Sequence, residues 1–580
     1  MKRRDFLKGV LPLTAAPFAL NGIPVRAMAQ SLMTQSFTCD QVNDRALVII
    51  QLHGGNDGLN TLVPIDQYDV YINHRPIIGI PLTGTRKLIE LDSSLAVQDQ
   101  IGLHPDLMHF KMLYDEGKIN FIQDVAYTNI NGSHFRGTDI WLSGKTGESI
   151  GEGADSGWFG RYLNHKFQDY PAAYPTPAMP DPPGLEFGSH IVSLGFHRAV
   201  GIPMGLTLSN NPQSFFDQVA GVGGLLPEDI PNTEFGNELR FIAEVQKSTD
   251  VYAERLSQVY AAGMNTVEYP EHYHTQSASH YDNGLSGQLK TVARLLAGGC
   301  KTKIYLVRMG GFDTHANQGI PDKPSFGGHG ALLYHLSSAV KAFQDDLKNL
   351  GLEDNVVTVT FSEFGRQVAE NGDWGTDHGT SGPMMVIGKG IKPGVTGTNP
   401  NLSNIRHNRL QGFQHDYRQV FATLLQDWLG ANDGTLYETE FLEFSQQKLD
   451  LINNNYLDGM GNTVNYVADM GCDPTEDPPD GVNIEPELEE EVAIQLFPNP
   501  ASEYVQVSIE SDRLTPASIS FYNMQGVLVK EKQLALRAGN NLAKVDLNGL
   551  ASGMYIARVI ANKGSHFSAR DLGTQKIVVQ

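Results

Sequence analysis

The sequence predicts an α/β protein built on a doubly wound, mostly parallel sheet and followed by a small all-β sandwich. Three observations carry this. Uninterrupted apolar runs closed by glycine or polar residues recur through residues 40–470, as in strands buried on both faces. Stretches with apolar residues at helical spacing lie between them, the alternation of an α/β domain. Beyond residue 491 the apolar period switches to two, with turn signals at short intervals, which marks a sandwich.

Taken in order, the chain begins with Lys2, Arg3, Arg4 and Lys8 ahead of a mildly apolar stretch to Val25, and Ala27-Met28-Ala29 offers small residues for cleavage. Residues 1–29 read as an export signal, and the paired arginines before Phe6-Leu7-Lys8 resemble a twin-arginine signal, which carries folded proteins. Pro12, Pro17 and Pro24 interrupt the stretch, so it makes a poor membrane span and no transmembrane anchor is expected. The first core strand is Ala46–Leu52, ending at Gly54-Gly55. Ile119–Ile122, Ile304–Met309, Val356–Phe361 and Pro383–Ile387 read as further strands. A helix is expected over Ala331–Leu350, where Leu332, Leu336, Val340, Phe343 and Leu347 recur at helical spacing, and another over Tyr417–Leu429. Residues 473–491 hold nine acids, four prolines and no Lys or Arg, the composition of an extended linker. In the remaining residues, 494–580, Tyr504–Ile509 and Met554–Val559 alternate as half-buried strands do.

Composition narrows the function. The 580 residues carry a net charge of −22 and are 41% hydrophobic, enough apolar material for a large core. Removal of residues 1–29 takes five basic residues and one acid and leaves a charge near −26. An acidic surface argues against a nucleic-acid partner, which needs basic residues to neutralise phosphates. Cys39, Cys300 and Cys472 are too few for a disulfide framework. One pair remains open to an exported protein, and the sequence does not select it.

In doubly wound sheets, ligands gather beyond the carboxyl ends of the strands. There the sequence places His53, Asn56 and Asp57 after the first strand, Asp313 and His315 after Ile304–Met309, and Ser362, Glu363 and Arg366 after Val356–Phe361. Asp377 and His378 come just before Pro383–Ile387. Carboxylate and neutral imidazole together form a ligand set for Zn, Mn or Fe, while carboxylates alone suit Ca or Mg. Asp57, Asp313, His315, Glu363, Asp377 and His378 are therefore the candidate metal ligands. Ser133 sits where a helix should begin, after the Ile119–Ile122 strand. It reads either as a nucleophile at an anion-favouring helix N-terminus or as an N-cap. Arg136 reads either as a holder of a substrate oxyanion or as a surface charge, and His134 as a catalytic or ligand group. His104, His329, His335 and His415 lie in or beside amphipathic segments and read as structural.

Several of these blocks carry family resemblances. The order of apolar strand with Asp57, Asp313-Thr314-His315, a long helix, a strand ending in Ser362-Glu363-Phe364-Gly365, and Asp377-His378-Gly379 resembles the alkaline phosphatase and sulfatase superfamily. That implies a metal-dependent ester hydrolase. Two departures weaken a two-metal arrangement: Asp313 and His315 are two residues apart instead of four, and Glu363-Phe364 stands where an Asp-His pair is usual. The Cys or Ser with Pro-x-Arg that sulfatases need has no counterpart. His53-Gly54-Gly55-Asn56-Asp57-Gly58, Ser133-His134-Phe135-Arg136, Gly311-Phe312-Asp313-Thr314-His315, Phe361–Arg366 and Thr376–Gly379 more closely resemble the exported bacterial family called domain of unknown function 1501, over most of residues 45–430. Leu496–Ala501, Tyr522–Gly526, Leu550–Tyr555 and Lys576–Val579 resemble the C-terminal sorting domain of the type IX secretion system. The resemblance implies export through the outer membrane to the medium or the cell surface, with the twin-arginine and type IX machineries as partners.

The expectation is thus a secreted hydrolase of phosphate or sulfate esters, small or borne on a glycan, using a divalent ion (Zn, Ca, Mg or Mn). Ser133, His134 and Arg136 are its candidate catalytic residues. The alternative is a non-catalytic binding protein at the cell surface that keeps the fold, which the loss of the usual imidazole at Phe364 favours.

Overall fold

The computed structural model describes residues 44–453 except 152, 172, 190–191, 199–202, 209–251, 275–279 and 321. It also describes most of 495–579 and the two-residue strands Ala19–Leu20, Ile23–Pro24, Tyr456–Leu457 and Thr463–Val464. The export signal as a whole, Cys39, Cys472 and the linker 473–491 lie outside the described residues. The chain divides into two compact units, Met1–Asp473 and Pro474–Gln580.

The first unit is built on a nine-stranded sheet. Its members that bear on function are β1 (Ala46–Leu52), β2 (Ile119–Ala126), β3 (Gly184–Phe187), β4 (Gly205–Leu208), β5 (Ile304–Met309), β6 (Val356–Phe361), β7 (Gly382–Ile387) and β8 (Gly394–Thr396). The hairpin β9 (Ile405–Arg406) and β10 (Arg409–Leu410) stands apart from it, and β11 (His415–Asp416) joins its edge at β2. The spatial order is β8-β2-β7-β6-β1-β5-β3-β4. β1 lies at the centre, parallel to β5 on one side and β6 on the other. Every strand expected from the apolar runs forms: β1, β2, β5, β6 and β7. The one antiparallel member of that series is β7, paired to both β6 and β2. The chain leaves β6 at the carboxyl edge, loops through residues 362–381 and re-enters at that same edge, so β7 must run backwards.

The apolar run of β1 is buried on both faces because each face meets helices. Ala46, Val48, Ile50 and Leu52 point to one core, together with α3 (Gly284–Ala297) and α4 (Gly328–Asn349). Leu47 and Ile49 point to the other, with α2 (His134–Ser143) and α5 (Tyr417–Thr423). A fifth helix, α1 (Met108–Asp115), leads into β2. The helix expected over Tyr417–Leu429 is α-helical only to Thr423 and continues as a π-turn, Leu424–Trp428. In the second unit, a three-stranded and a four-stranded antiparallel sheet share one core of Val505, Val507, Ile509, Ile519, Phe521, Val559 and Ile577. Val505, Val507, Ile509 and Val559 among them are inward residues of the two alternating runs. Among the described residues, no helix is long and apolar enough to cross a membrane.

The turn after β1 brings three strand ends together. Gly54 adopts φ +123°, and a Cβ at this position would fall 2.2 Å from the backbone nitrogen of Asp313. Only glycine permits both that dihedral and that approach. Gly54→Ala is therefore expected to lower stability by at least about 2 kcal/mol through backbone strain and displacement of the Phe312–Asp313 peptide. Urea denaturation beside the wild type measures this, and an unchanged midpoint would contradict the close approach.

Candidate metal centre

At the carboxyl edge of the sheet, side chains from three loops meet. Asp313 follows β5, Glu363 and Arg366 follow β6, His378 precedes β7, and His134 opens α2 after β2. Asp313 Oδ1 lies 3.1 Å from His315 Nε2, 3.2 Å from His378 Nε2 and 3.3 Å from His134 Nε2. The Nε2 atoms of His315 and His378 are only 2.8 Å apart. His134, Asp313 and His378 each offer a donor atom within 4.8 Å of the others.

The outer nitrogens of the three rings fix the tautomers. His134 Nδ1 meets Glu363 Oε1 at 2.7 Å, His315 Nδ1 meets Asp377 Oδ1 at 2.9 Å, and His378 Nδ1 meets the Gly132 carbonyl at 2.8 Å. Each of these partners is an acceptor, so each Nδ1 carries the hydrogen, and a neutral ring in this orientation turns an Nε2 lone pair inward. Two such lone pairs at 2.8 Å repel unless a proton or a cation lies between them. His134 Nε2 is buried and has no hydrogen-bond partner among the described residues, despite its proximity to Asp313. Imidazole nitrogens converging with one carboxylate oxygen, each held from behind by a carboxylate or carbonyl, fit a divalent ion of the Zn, Mn or Fe type.

Electrostatics follow from the same contacts. Burial opposes the charge on Asp313, but the Arg366 guanidinium and the His378 ring outweigh it and bring its carboxyl down to about 2. The Glu363 hydrogen bond raises the pKa of His134 against the effect of burial. Burial lowers that of His378, with the Gly132 carbonyl and Asp313 opposing. Asp377 is held low by Asn371 and His315.

Of the residues expected from sequence to bind metal, Asp313, His315 and His378 come together, and His134 joins them from the catalytic set. Glu363 and Asp377 stand one layer behind as acceptors for the rings. Asp57 is not brought into the cluster. Arg75 grips it bidentately at 2.6 and 2.9 Å, Gln318 gives a further bond to Oδ2, and the pair is fully buried. Both of its oxygens are engaged. Ser133 is the N-cap of α2, its Oγ 3.5 Å from the Arg136 amide. Arg136 directs its guanidinium to the Gly151 carbonyl. Sequence reasoning missed Arg75, Gln318 and Asn371. Arg75 lies within a helix-like run beside His74, and nothing local announces its partner.

Residues 236–438 match the family model described as "Protein of unknown function (DUF1501)". This is narrower than the span of the sequence resemblance: the blocks at Gly311–His315, Phe361–Arg366 and Thr376–Gly379 fall inside it, those around Asp57 and Ser133 outside. Residues 495–579 match the "Secretion system C-terminal sorting domain". The chain thus combines a DUF1501-matching region with a type IX sorting domain, which marks it for secretion or the cell surface. No curated protein matches. Dimeric latent PorU from Porphyromonas gingivalis is similar at 20% identity over 15% of this chain and 9% of its own, with a TM-score of 0.14. A protein in the alkaline phosphatase superfamily from Vibrio parahaemolyticus is similar at 10% identity, covering 92% of this chain and 83% of its own, TM-score 0.29. Alkaline phosphatase from the Antarctic bacterium TAB5 is similar at 11%, over 69% and 99%, TM-score 0.26.

The buried Asp57–Arg75 pair has a measurable consequence. Burial opposes the Asp57 charge, yet Arg75 holds its pKa below the ordinary carboxylate value. Its stabilisation is therefore complete above the unfolded pKa of about 3.9 and is lost as pH falls through the lower folded value. Asp57→Asn leaves Arg75 buried and uncompensated, at an expected cost of about 3–5 kcal/mol near neutral pH. Denaturation of both proteins as a function of pH checks this: the gap should narrow in acid, and a gap independent of pH would contradict it.

Proposed function

We propose that the chain is a secreted, metal-dependent hydrolase of phosphate or sulfate esters. The observation that carries this reading is the convergence of imidazole Nε2 atoms on Asp313 Oδ1, each ring oriented from behind. His134, Asp313, His315 and His378 would hold the ion. A bound divalent cation supplies Lewis-acid polarisation of the ester and a water of lowered pKa. The protein's own residues set the stage for that chemistry. Glu363, Asp377 and the Gly132 carbonyl keep the three Nε2 atoms free of hydrogen. Arg366 keeps Asp313 charged. The helix capped by Ser133 begins at the same edge, and the positive end of its dipole would favour an anionic ester.

Ser133 is assigned here to capping α2, so Ser133→Ala is expected to cost about 1 kcal/mol of stability and to leave turnover in place. Its abolition of turnover would make Ser133 the nucleophile.

Elemental analysis and calorimetric metal titration of the purified protein, with a panel of phosphate and sulfate esters over roughly pH 5–10, test the proposal. A divalent ion that is lost in His378→Ala, together with turnover of at least one ester class, is the expected result. Glu363→Gln, which removes the charge behind His134 but keeps its size, is expected to weaken metal affinity by about 10–100-fold. Absence of both metal and turnover in the wild type would leave a binding protein that retains the fold.

A further inference from the structure

The hairpin β9–β10 carries a feature that folding does not account for. It turns on His407 and Asn408, whose φ angles are +48° and +62°, the positive values of a two-residue turn suited to a hairpin. The residues directly across from each other are Arg406 and Arg409. Like charges in that position destabilise a strand pair. Both arginines are exposed, and His407 between them is exposed as well. Residues 401–414 contain no Asp or Glu, in a chain whose net charge is −22. Among the described residues, neither Arg406 nor Arg409 has an ion-pair partner.

The hairpin is fixed to the segments that build the metal centre. The Asn408 carbonyl accepts the Val368 amide at 2.9 Å, its Oδ1 accepts the Ala369 amide at 2.8 Å, and its Nδ2 donates to Gln367 at 2.8 Å. These three residues follow Arg366 directly. Thr380 donates to the Leu410 carbonyl at 3.1 Å, and Arg409 Nε donates to the His378 carbonyl at 3.2 Å. Leu410 is buried with Leu59, Val63 and Tyr71. One of the two cations, Arg409, is thus anchored on the backbone of a residue of the cluster, and Arg406 stands directly across the hairpin from it. The other arginines at this edge are committed: Arg366 donates to four carbonyls and Asp313, and Arg136 turns to Gly151.

We propose that the Arg406–Arg409 hairpin is an anion subsite, and that the substrates are esters with a second anionic group beyond the one presented to the metal centre. Arginine forks bind phosphate, sulfate and carboxylate oxygens bidentately. An acidic protein repels polyanions at long range, so a local cationic tip is required where one must dock. The subsite deepens the hydrolase reading in naming the substrate class, while anion binding at the hairpin stands independently of it.

Calorimetric titration of metal-stripped, full-length protein with inorganic tripolyphosphate and with orthophosphate tests the subsite without turnover. The wild type is expected to bind tripolyphosphate, and the double variant Arg406→Gln/Arg409→Gln to bind it at least about tenfold more weakly. The variant's Tm should change little, since relief of the like-charge pair offsets loss of the Arg409 bond to the His378 carbonyl. In a metal-loaded assay, the ratio of KM for a singly anionic ester to KM for one carrying a second anionic group should fall by a similar factor. Equal tripolyphosphate affinity in the two proteins, or no binding in the wild type, overturns the subsite. Loss of tripolyphosphate binding in the variant without turnover of any ester keeps the subsite and removes the hydrolase. Turnover with an unaltered KM ratio keeps the hydrolase and removes the subsite.

Discussion

The buried guanidinium of Arg366 is the contact on which the carboxyl edge of the sheet depends. Its Nε donates to the Gly55 carbonyl, Nη1 to that of Thr376, and Nη2 to those of Gly54 and Phe312 and to Asp313 Oδ1. One planar group therefore ties together the turns after β1 and β5 and the segment before β7, while its own backbone extends from β6. Lysine has neither the number of donors nor their fixed spread. Burying a guanidinium is costly unless its N–H groups find acceptors. Here carbonyls of converging loops provide them, so the loops hold the charge and the charge holds the loops. The same Nη2 that joins Gly54 to Phe312 keeps Asp313 ionised, and architecture and electrostatics share a single atom.

Asp57 and Asp313 show how one type of contact leads to two outcomes. Each is a carboxylate at a strand end paired with an arginine. Arg75 closes on both oxygens of Asp57, and the pair is sealed from solvent. Arg366 takes one oxygen of Asp313, whose side chain stays 48% exposed. The first pair is a foundation and the second a working face, and Gln318 links them. Its Nε2 reaches Asp57, while its Oε1 accepts from Thr314, next to Asp313, and from Thr376, next to Asp377. Buried networks of this kind fix a unique arrangement when every member is satisfied.

The sheet is legible in the sequence because a strand buried on both faces must be apolar throughout, and Ala46–Leu52 is. The strand-end rule then leads to Asp313, His315 and His378, since the topology that makes the sheet parallel also gathers its loops at one edge. Periodicity reports which face is buried and is silent on which partner a polar group will find. Asp57 reads as a ligand because Arg75, eighteen residues on, sits beside a helix with no motif around it. Glu363 and Asp377 read as metal-facing when they face imidazoles, a distinction that needs the orientation of a ring. The reversal at β7 depends on where the 362–381 loop returns, and the opposed arginines of the hairpin depend on register. Neither is a property of a short window.

The formal charges around the centre argue for its occupant. Asp313, Glu363 and Asp377 are three carboxylates gathered about neutral rings, with Arg366 the one guanidinium among them, which leaves a charge of −2. Two ways of balancing this are open to the protein. Protonated imidazoles would do it, and the raised pKa of His134 leans that way. His315 and His378 can take only one such proton between them, since their Nδ1 hydrogens are committed to Asp377 and Gly132 and protonating both would set two N–H groups head-on at 2.8 Å. One divalent cation would accept the inward lone pairs of His134 and His378 together with Asp313 and would cancel the charge in a single step. The arrangement of donors, the orientation of the rings and the sum of the charges are thus what the proposed divalent ion would need.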